Sequence, residues 1–167
     1  MEPSIELTPA APGDLSNIVA LVRAAYAPYI ERIGKEPAPM GADYGAAIAA
    51  GHVVVARRVS GRTPPLTGSS ATQGEILGLI VTEAFADHLL IENIAVSPEA
   101  QGFGIGGMLL EHAYAEARAL GLAEVRLYTN AKMTENLRYY PRRGFVELDR
   151  RHENGFDRVY FARSVAE

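Results

Sequence analysis

The sequence predicts an α/β chain of the α+β kind: a mixed, mostly antiparallel twisted sheet with one parallel strand pair and helices on both faces. Three observations predict it. Short apolar runs and longer runs of helical periodicity succeed one another in the order β-α-α-β-β-β-α-β-α-β-β. One strand–helix–strand crossover, over residues 88–130, is long enough to place two parallel strands in the sheet. The chain closes on two strand-like runs around the turn "HENG".

Each element can be justified in order. "SIELTPA" (residues 4–10) is a short extended start. "PGDLSN" offers Asp14 as an N-cap, and Leu15, Ile18, Val19, Val22, Tyr26, Tyr29, Ile30 and Ile33 then recur at helical spacing. Pro28 lies inside that pattern. It lacks an N–H and crowds the preceding turn, so the helix is expected to end or kink near Ala27. "RIGKEPAPMG" reads as a loop, and "ADYGAAIAAG" as a short helix closed by Gly51.

"HVVVARRV" is a strand and "EILGLIVTEA" its antiparallel return. Between them, "SGRTPPLTGSSATQG" (residues 60–74) reads as a mobile hairpin loop of passive surface. "HLLIENIAV" is apolar at nearly every position, as in a central strand buried on both faces, with Glu92 and Asn93 interrupting it. A helix is expected from Gly102 onward. Ile105, Met108, Leu109, His112, Ala113, Glu116, Ala117 and Leu120 form its stripe, and Gly121 closes it. "AEVRLYTN" is a strand, "MTENLRYYPRR" a short helix with Thr134 as a cap, and "GFVELDRR" and "FDRVYFARSV" are the closing strands.

Bulk properties narrow the function classes. The 167 residues suit one domain with a sizeable core, so residues 1–167 are expected to form a single unit. A net charge of −4 lacks the basic excess of nucleic-acid binders. No apolar run reaches the ~18 residues of a membrane helix. "MEPSIELTPA" has neither a basic n-region nor an apolar h-region, so the expected compartment is the cytoplasm. The absence of cysteine excludes disulfides, zinc–thiolate sites and a cysteine nucleophile. His52, His88, His112 and His152 are scattered, and no metal site is expected.

"QGFGIGG" matches two patterns. Gly102, Gly104 and Gly107 satisfy the dinucleotide fingerprint G-x-G-x-x-G, and Gln101, Gly104 and Gly106 satisfy Q-x-x-G-x-G, which is associated with coenzyme A. Both seat an anion on N–H groups at a helix start. The dinucleotide reading needs a tight strand-to-glycine turn and further βα units. Here residues 97–101, with Pro98, intervene, and Glu124 opens the next strand. A Walker A loop is excluded because no G-K-[ST] follows. A plain tight turn is the alternative, but two glycines would suffice for one, and four in six positions are costly in backbone entropy.

The block "IENIAVSPEAQGFGIGGMLLEHAYAEARALGLAEVRLYTN…ENLRYYPRRGFVE" resembles the GNAT superfamily of acetyl-CoA-dependent N-acyltransferases. The matched features are the strand ending "IAVSPE", the Q-x-x-G-x-G loop, the amphipathic helix, the next strand, and Y-x-x-x-G-F at Tyr140, Gly144 and Phe145. The resemblance is strong over residues 89–147 and holds elsewhere as element order.

The resemblance implies a GNAT-like fold whose parallel strands splay apart, with acetyl-CoA (released as coenzyme A) as co-substrate. The backbone groups of Ile94, Ala95 and Val96 would pair with the pantetheine arm, and one N–H would polarise the thioester carbonyl. Gln101, Gly102, Phe103, Gly104, Ile105, Gly106 and Gly107 match the pyrophosphate loop. Tyr140 matches the residue that protonates the departing thiolate, since a phenol near pKa ~10 suits a thiol near ~8.5. The alternative for Tyr140 is an aromatic core anchor.

The chain departs from the family at Met133, where many members carry asparagine. Asn136, one turn before Tyr140, is either a substitute cofactor contact or a surface residue. Pro141 should loosen the helix just past Tyr140. Glu92 is the best candidate for the base. The alternatives are a ligand for a cationic substrate or a structural ion pair, and His88 is a second choice for the base. Without cysteine, direct transfer in a ternary complex is the economical route.

The acceptor would be a primary amine of a small molecule or peptide. Tyr26, Tyr29, Glu31, Arg32, Glu36, Met40 and Tyr44 are candidate pocket residues, with Tyr26 expected to pack in the core. A non-catalytic acyl-CoA-binding or regulatory module and a nucleotide oxidoreductase are the rival classes. The resemblance leaves a homodimer open.

Overall fold

The computed structural model describes residues 4–59 and 74–166. The chain forms β1 (Ser4–Pro9), α1 (Leu15–Ile33), α2 (Tyr44–Ala49), β2 (Val53–Val59), β3 (Ile76–Ala84) and β4 (His88–Val96). It continues through α3 (Ile105–Ala119), β5 (Glu124–Asn130), α4 (Thr134–Arg142), β6 (Val146–Glu153) and β7 (Phe156–Ser164). This is the element order expected from the sequence. The loop expected over residues 60–74 lies outside the described residues except for Gly74.

The strands make one seven-stranded sheet in the order β1-β2-β3-β4-β5-β7-β6. Every neighbouring pair is antiparallel except β4 and β5, the pair joined by the α3 crossover. Two cores cover its faces. One packs α3, Tyr140 and Phe145 against Ile80, Leu89, Ile91 and Leu127. The other packs α1 and α2 against Val53, Val55, Leu79 and Val81. Gly78 lets α3 approach the sheet: a Cβ there would lie 3.0 Å from the Ala95 carbonyl oxygen and 3.0 Å from Ile105 Cγ2. The β6–β7 turn places both Asn154 (φ 51°) and Gly155 (φ 81°) in the left-handed region, as a tight hairpin with native twist requires.

Several local expectations need correction. Helix α1 does not end at Ala27 but runs through Pro28 to Ile33 and stops at left-handed Gly34. The hydrogen bond that proline forfeits is outweighed by tertiary ties on both sides of it. Ile18, Leu21 and Val22 are buried upstream, and Arg32 is bridged to Glu135 of α4 downstream. Asp14 occupies the N-cap position without capping. Its carboxylate accepts from the Ala11 N–H (2.8 Å) and from Arg57 Nη2 (2.5 Å). Thr134 is the first residue of α4, behind Met133, and makes no cap hydrogen bond. Helix α3 starts at Ile105, adds Leu110 and Tyr114 to its buried face, and leaves Leu120 exposed.

Strand β4 is central, but its burial alternates along its length instead of being complete on both faces. Val81 pairs with Asn93 and Thr82 with Ile91, so Glu92 is an extra residue, a β-bulge. The bulge reverses the alternation. Leu89 and Ile91 face the α3 core before it, whereas Ala95 faces the α1–α2 core after it. That switch is why the run reads as apolar at almost every position.

Candidate active site

The parallel pair holds only where His88–Ile91 meets Glu124–Leu127. Beyond Ile91 the two strands diverge, and the opening becomes a cleft of about 60 Å³. Glu92, Ile94, Asn136 and Tyr140, all singled out in the sequence, line this one cleft, together with Tyr26. A second cavity of about 230 Å³ adjoins it and shares Glu92, Asn93 and Tyr128.

The open edge of β4 follows from the ladder. Leu79 pairs with Ala95, and the Ser97 N–H donates to the Leu77 carbonyl at 2.8 Å. Because antiparallel hydrogen-bonded pairs alternate, Asn93, Ala95 and Ser97 exchange with β3. The N–H and C=O groups of Ile94 and Val96 therefore point toward the splay. Two side chains lie against those carbonyls from the open side: Tyr26 Oη, whose one proton goes to Asn93 Oδ1, sits 3.2 Å from Ile94 O, and Gln101 Nε2 donates to Val96 O (3.4 Å). Ala95, expected among the pantetheine partners, has its backbone groups committed to β3.

After β4 the chain turns through Gly102 (φ 89°) and Gly104 (φ 82°), conformations that glycine alone adopts readily. No side chain caps α3. The N–H groups of Ile105, Gly106 and Gly107 thus lack intrahelical acceptors and sit at the positive end of the helix dipole, where an anion is favoured. Gly106 and Gly107 lie under the tips of side chains from α4 and its C-terminal end. A Cβ on Gly106 would lie 3.3 Å from the Tyr139 hydroxyl, and one on Gly107 would lie 2.8 Å from the Arg143 guanidinium. Phe103 is 75% exposed beside this turn.

Tyr140 is 5% exposed, its ring packed edge-on against Tyr139 and Phe145 and tilted against Phe161. Burial, followed by the neighbouring phenols Tyr139 and Tyr114, pushes its pKa well above the ordinary value, so it remains a proton donor throughout the neutral range. Its packing fits the core-anchor reading, and its place on the cleft wall puts it within the site. Asn136 is half-buried in the cleft and not on the open surface; its amide donates to Thr129 Oγ1 at 3.0 Å. Met133, at the position of the family's asparagine, is 4% exposed and belongs to the core.

Glu92 makes no ion pair among the described residues. Burial, then a hydrogen bond and like-charge repulsion from Glu83, raise its carboxyl pKa, and His52 opposes the rise. The bulge aims this side chain at the junction of the two cavities.

The acceptor-side candidates divide. Tyr26 is not plain core: its hydroxyl donates to Asn93 Oδ1 at 2.5 Å. Asn93 Nδ2 donates to Tyr44 Oη at 2.9 Å, and Tyr44 donates to the Pro39 carbonyl at 2.6 Å. Met40 is buried in the α1–α2 core. Tyr29 and Arg32 are drawn to Glu135, Glu36 pairs with Arg23, and Glu31 is exposed. Sequence reasoning missed Asn93, Tyr128 and Arg158. The period of two in "EVRLYTN" and "FDRVYF" does put Tyr128 and Arg158 on the face opposite Leu127 and Phe161.

Comparison with known proteins agrees with this geometry. Residues 49–147 match the family model described as an acetyltransferase (GNAT) domain. The [ribosomal protein bS18]-alanine N-acetyltransferase of Escherichia coli (strain K12) is 32% identical over 74 residues, covering 44% of this chain and 50% of that protein. The chain thus spans about half the length of the curated relatives it matches. Among solved structures, Ard1 from Thermoplasma volcanium superposes with a TM-score of 0.73 at 16% identity, over 98% of this chain and 99% of that one. The PaiA N-acetyltransferase of Thermoplasma acidophilum, solved in complex with coenzyme A, gives 0.72 at 16% identity, over 96% and 99%. With its splayed strands, glycine turn and uncapped α3, the chain belongs to the GNAT acetyltransferase family.

Proposed function

We propose that this protein is an N-acetyltransferase that moves the acetyl group of acetyl-CoA directly to a primary amine of a small molecule or peptide. One observation carries the reading: past the parallel ladder the edge of β4 at Ile94 faces the cleft that Tyr140 also lines, and the turn over residues 97–104 then brings the chain to the uncapped start of α3. The relatives support it, one by its name as an alanine N-acetyltransferase and one by its bound coenzyme A.

Acetyl-CoA supplies an activated acyl group and a thiolate leaving group. Ile94 and Val96 hold the arm by backbone pairing, and the Ile94 N–H polarises the acyl carbonyl. The glycine turn and the first N–H groups of α3 hold the diphosphate. Asn136, through its side-chain oxygen, adds a polar contact at the cleft wall. Glu92 takes the proton from the attacking amine, directly or through a water, and Tyr140 protonates the departing sulfur. Tyr140 is in the donor form at neutral pH, burial making it a weaker acid than a solvated phenol, and the raised pKa of Glu92 makes it a better base than a solvated carboxylate.

A thermal-shift panel tests the reading. Acetyl-CoA and coenzyme A raise the melting temperature, and NAD(P) does not. No shift with either CoA species overturns it.

A further inference from the structure

Among its described lining residues the cleft carries one carboxylate and one cation, Glu92 and Arg158. They come from different strands: Glu92 is the bulge of β4, and Arg158 belongs to β7. Strand β5 lies between them, and β4 and β5 part beyond Ile91, so the two side chains face each other across the width of the cleft. Tyr128 of β5 lines the floor and carries the Arg158 guanidinium 4.4 Å above its ring.

From the geometry we infer that the acceptor is a small zwitterion, an amine that also bears a carboxylate, with its amine at Glu92 and its carboxylate at Arg158. This rests on the acetyltransferase reading of the same cleft. The Arg158 side chain is only 11% exposed. Its one carboxylate neighbour among the described residues is Glu153, 3.3 Å from Nη1. A guanidinium has five N–H donors in a planar fork; this one contacts Glu153 and the Tyr160 hydroxyl, and its remaining donors are available to a second carboxylate. Glu153 is also shared, since it accepts from Tyr160 Oη at 2.5 Å and lies 3.5 Å from Arg151. The wall around Arg158 is therefore under-compensated, whereas Glu92 at the far end has Glu83 as its neighbour and no cation bridged to it. A ligand with positive and negative ends matches both.

The enclosure fits a small molecule. Lys35 Nζ donates to the Gly155 carbonyl at 2.5 Å and sits 4.2 Å over the Phe156 ring, tying the segment after α1 to the β6–β7 turn along that side of the cleft. Beyond Glu92, the 230 Å³ cavity is lined by Ala42, Ala47, Val81 and Tyr44 together with polar Asp43 and Asn93, and offers room for a substituent.

The test compares a set of free amino acids with the matching amino-acid amides and carboxylate-free alkylamines, scored by coenzyme A release, alongside the thermal shift with acetyl-CoA. The expected result is a preference of ~10-fold or more in kcat/KM for at least one free acid over its amide. In Arg158→Gln this ratio collapses toward one through a raised KM for the acid, and in Arg158→Lys, which keeps the charge but loses the fork, it is intermediate. Retention of the acetyl-CoA thermal shift shows that each variant is folded. Equal use of acid and amide, an unaltered ratio in Arg158→Gln, or acylation of no free acid by protein that binds acetyl-CoA overturns the zwitterion. Absence of any acetyl-CoA shift in the unaltered protein overturns the acetyltransferase reading instead.

Discussion

The Tyr26 hydroxyl lies 2.5 Å from the side-chain oxygen of Asn93, which joins helix α1 to the strand that opens the cleft. The same hydroxyl reaches the Ile94 carbonyl, and Asn93 passes the connection on to Tyr44. Asn93 is 8% exposed, so its amide depends on these partners. Tyr26→Phe leaves the Asn93 oxygen without that donor and should cost about 1–3 kcal/mol. Chemical denaturation measures it. An unshifted midpoint would mean that water replaces the hydroxyl without loss.

Tyr140→Phe keeps the ring and its packing against Tyr139, Phe145 and Phe161 but removes the proton. Turnover should fall by about 10²-fold or more, with the acetyl-CoA thermal shift retained. Equal turnover would leave Tyr140 only its packing role.

The Glu92–Glu83 pair makes a pH prediction. Burial and Glu83 raise the Glu92 carboxyl pKa above 4.5, so Glu92 is protonated, and inactive as a base, over a window above that value. The rate should rise with pH through the raised pKa. Glu83→Gln removes the like charge and should move the acid limb of kcat/KM to lower pH. Glu92→Gln should abolish the limb. A limb that stays in place in both variants would assign it to another group.

Asp14 and Arg57 form a largely buried ion pair, 14% and 4% exposed. Burial opposes ionisation of Asp14, but the hydrogen bond from Arg57, the Ala11 N–H and the Arg57 charge together hold its pKa below 3.8. A depressed carboxylate contributes stability that is fully present above its unfolded pKa and is lost as pH falls through the folded one. The wild type should therefore lose part of its stability below about pH 4. Asp14→Asn should cost about 3–5 kcal/mol at neutral pH, because it strands a buried guanidinium, and should flatten that acid dependence. Urea unfolding at several pH values reads both.

The glycine turn shows what was legible and what was not. The pattern at residues 101–107 marked a glycine turn into a helix start, and Gly102 and Gly104 are glycine for the backbone conformation that turn needs. Gly106 and Gly107 lie under the tips of Tyr139 in α4 and Arg143 just past its end, a contact between residues over thirty positions apart. Pro28 and Asp14 teach the same lesson in reverse. Local rules ended a helix and assigned a cap, and tertiary partners overrode both.

By itself the sequence determined the element order, the single parallel crossover and the glycine turn, because periodicity and turn chemistry act over a few neighbouring residues; Tyr140 was marked by the family resemblance. The tertiary structure alone decided the bulge at Glu92, the open backbone of Ile94 and Val96 as against the engaged backbone of Ala95, and the meeting of Tyr26 with Asn93. A bulge is a count of residues across two strands, and a hydrogen bond between residues 67 positions apart depends on how α1 docks on the sheet. Neither quantity exists along the chain until the strands pair and the helices pack.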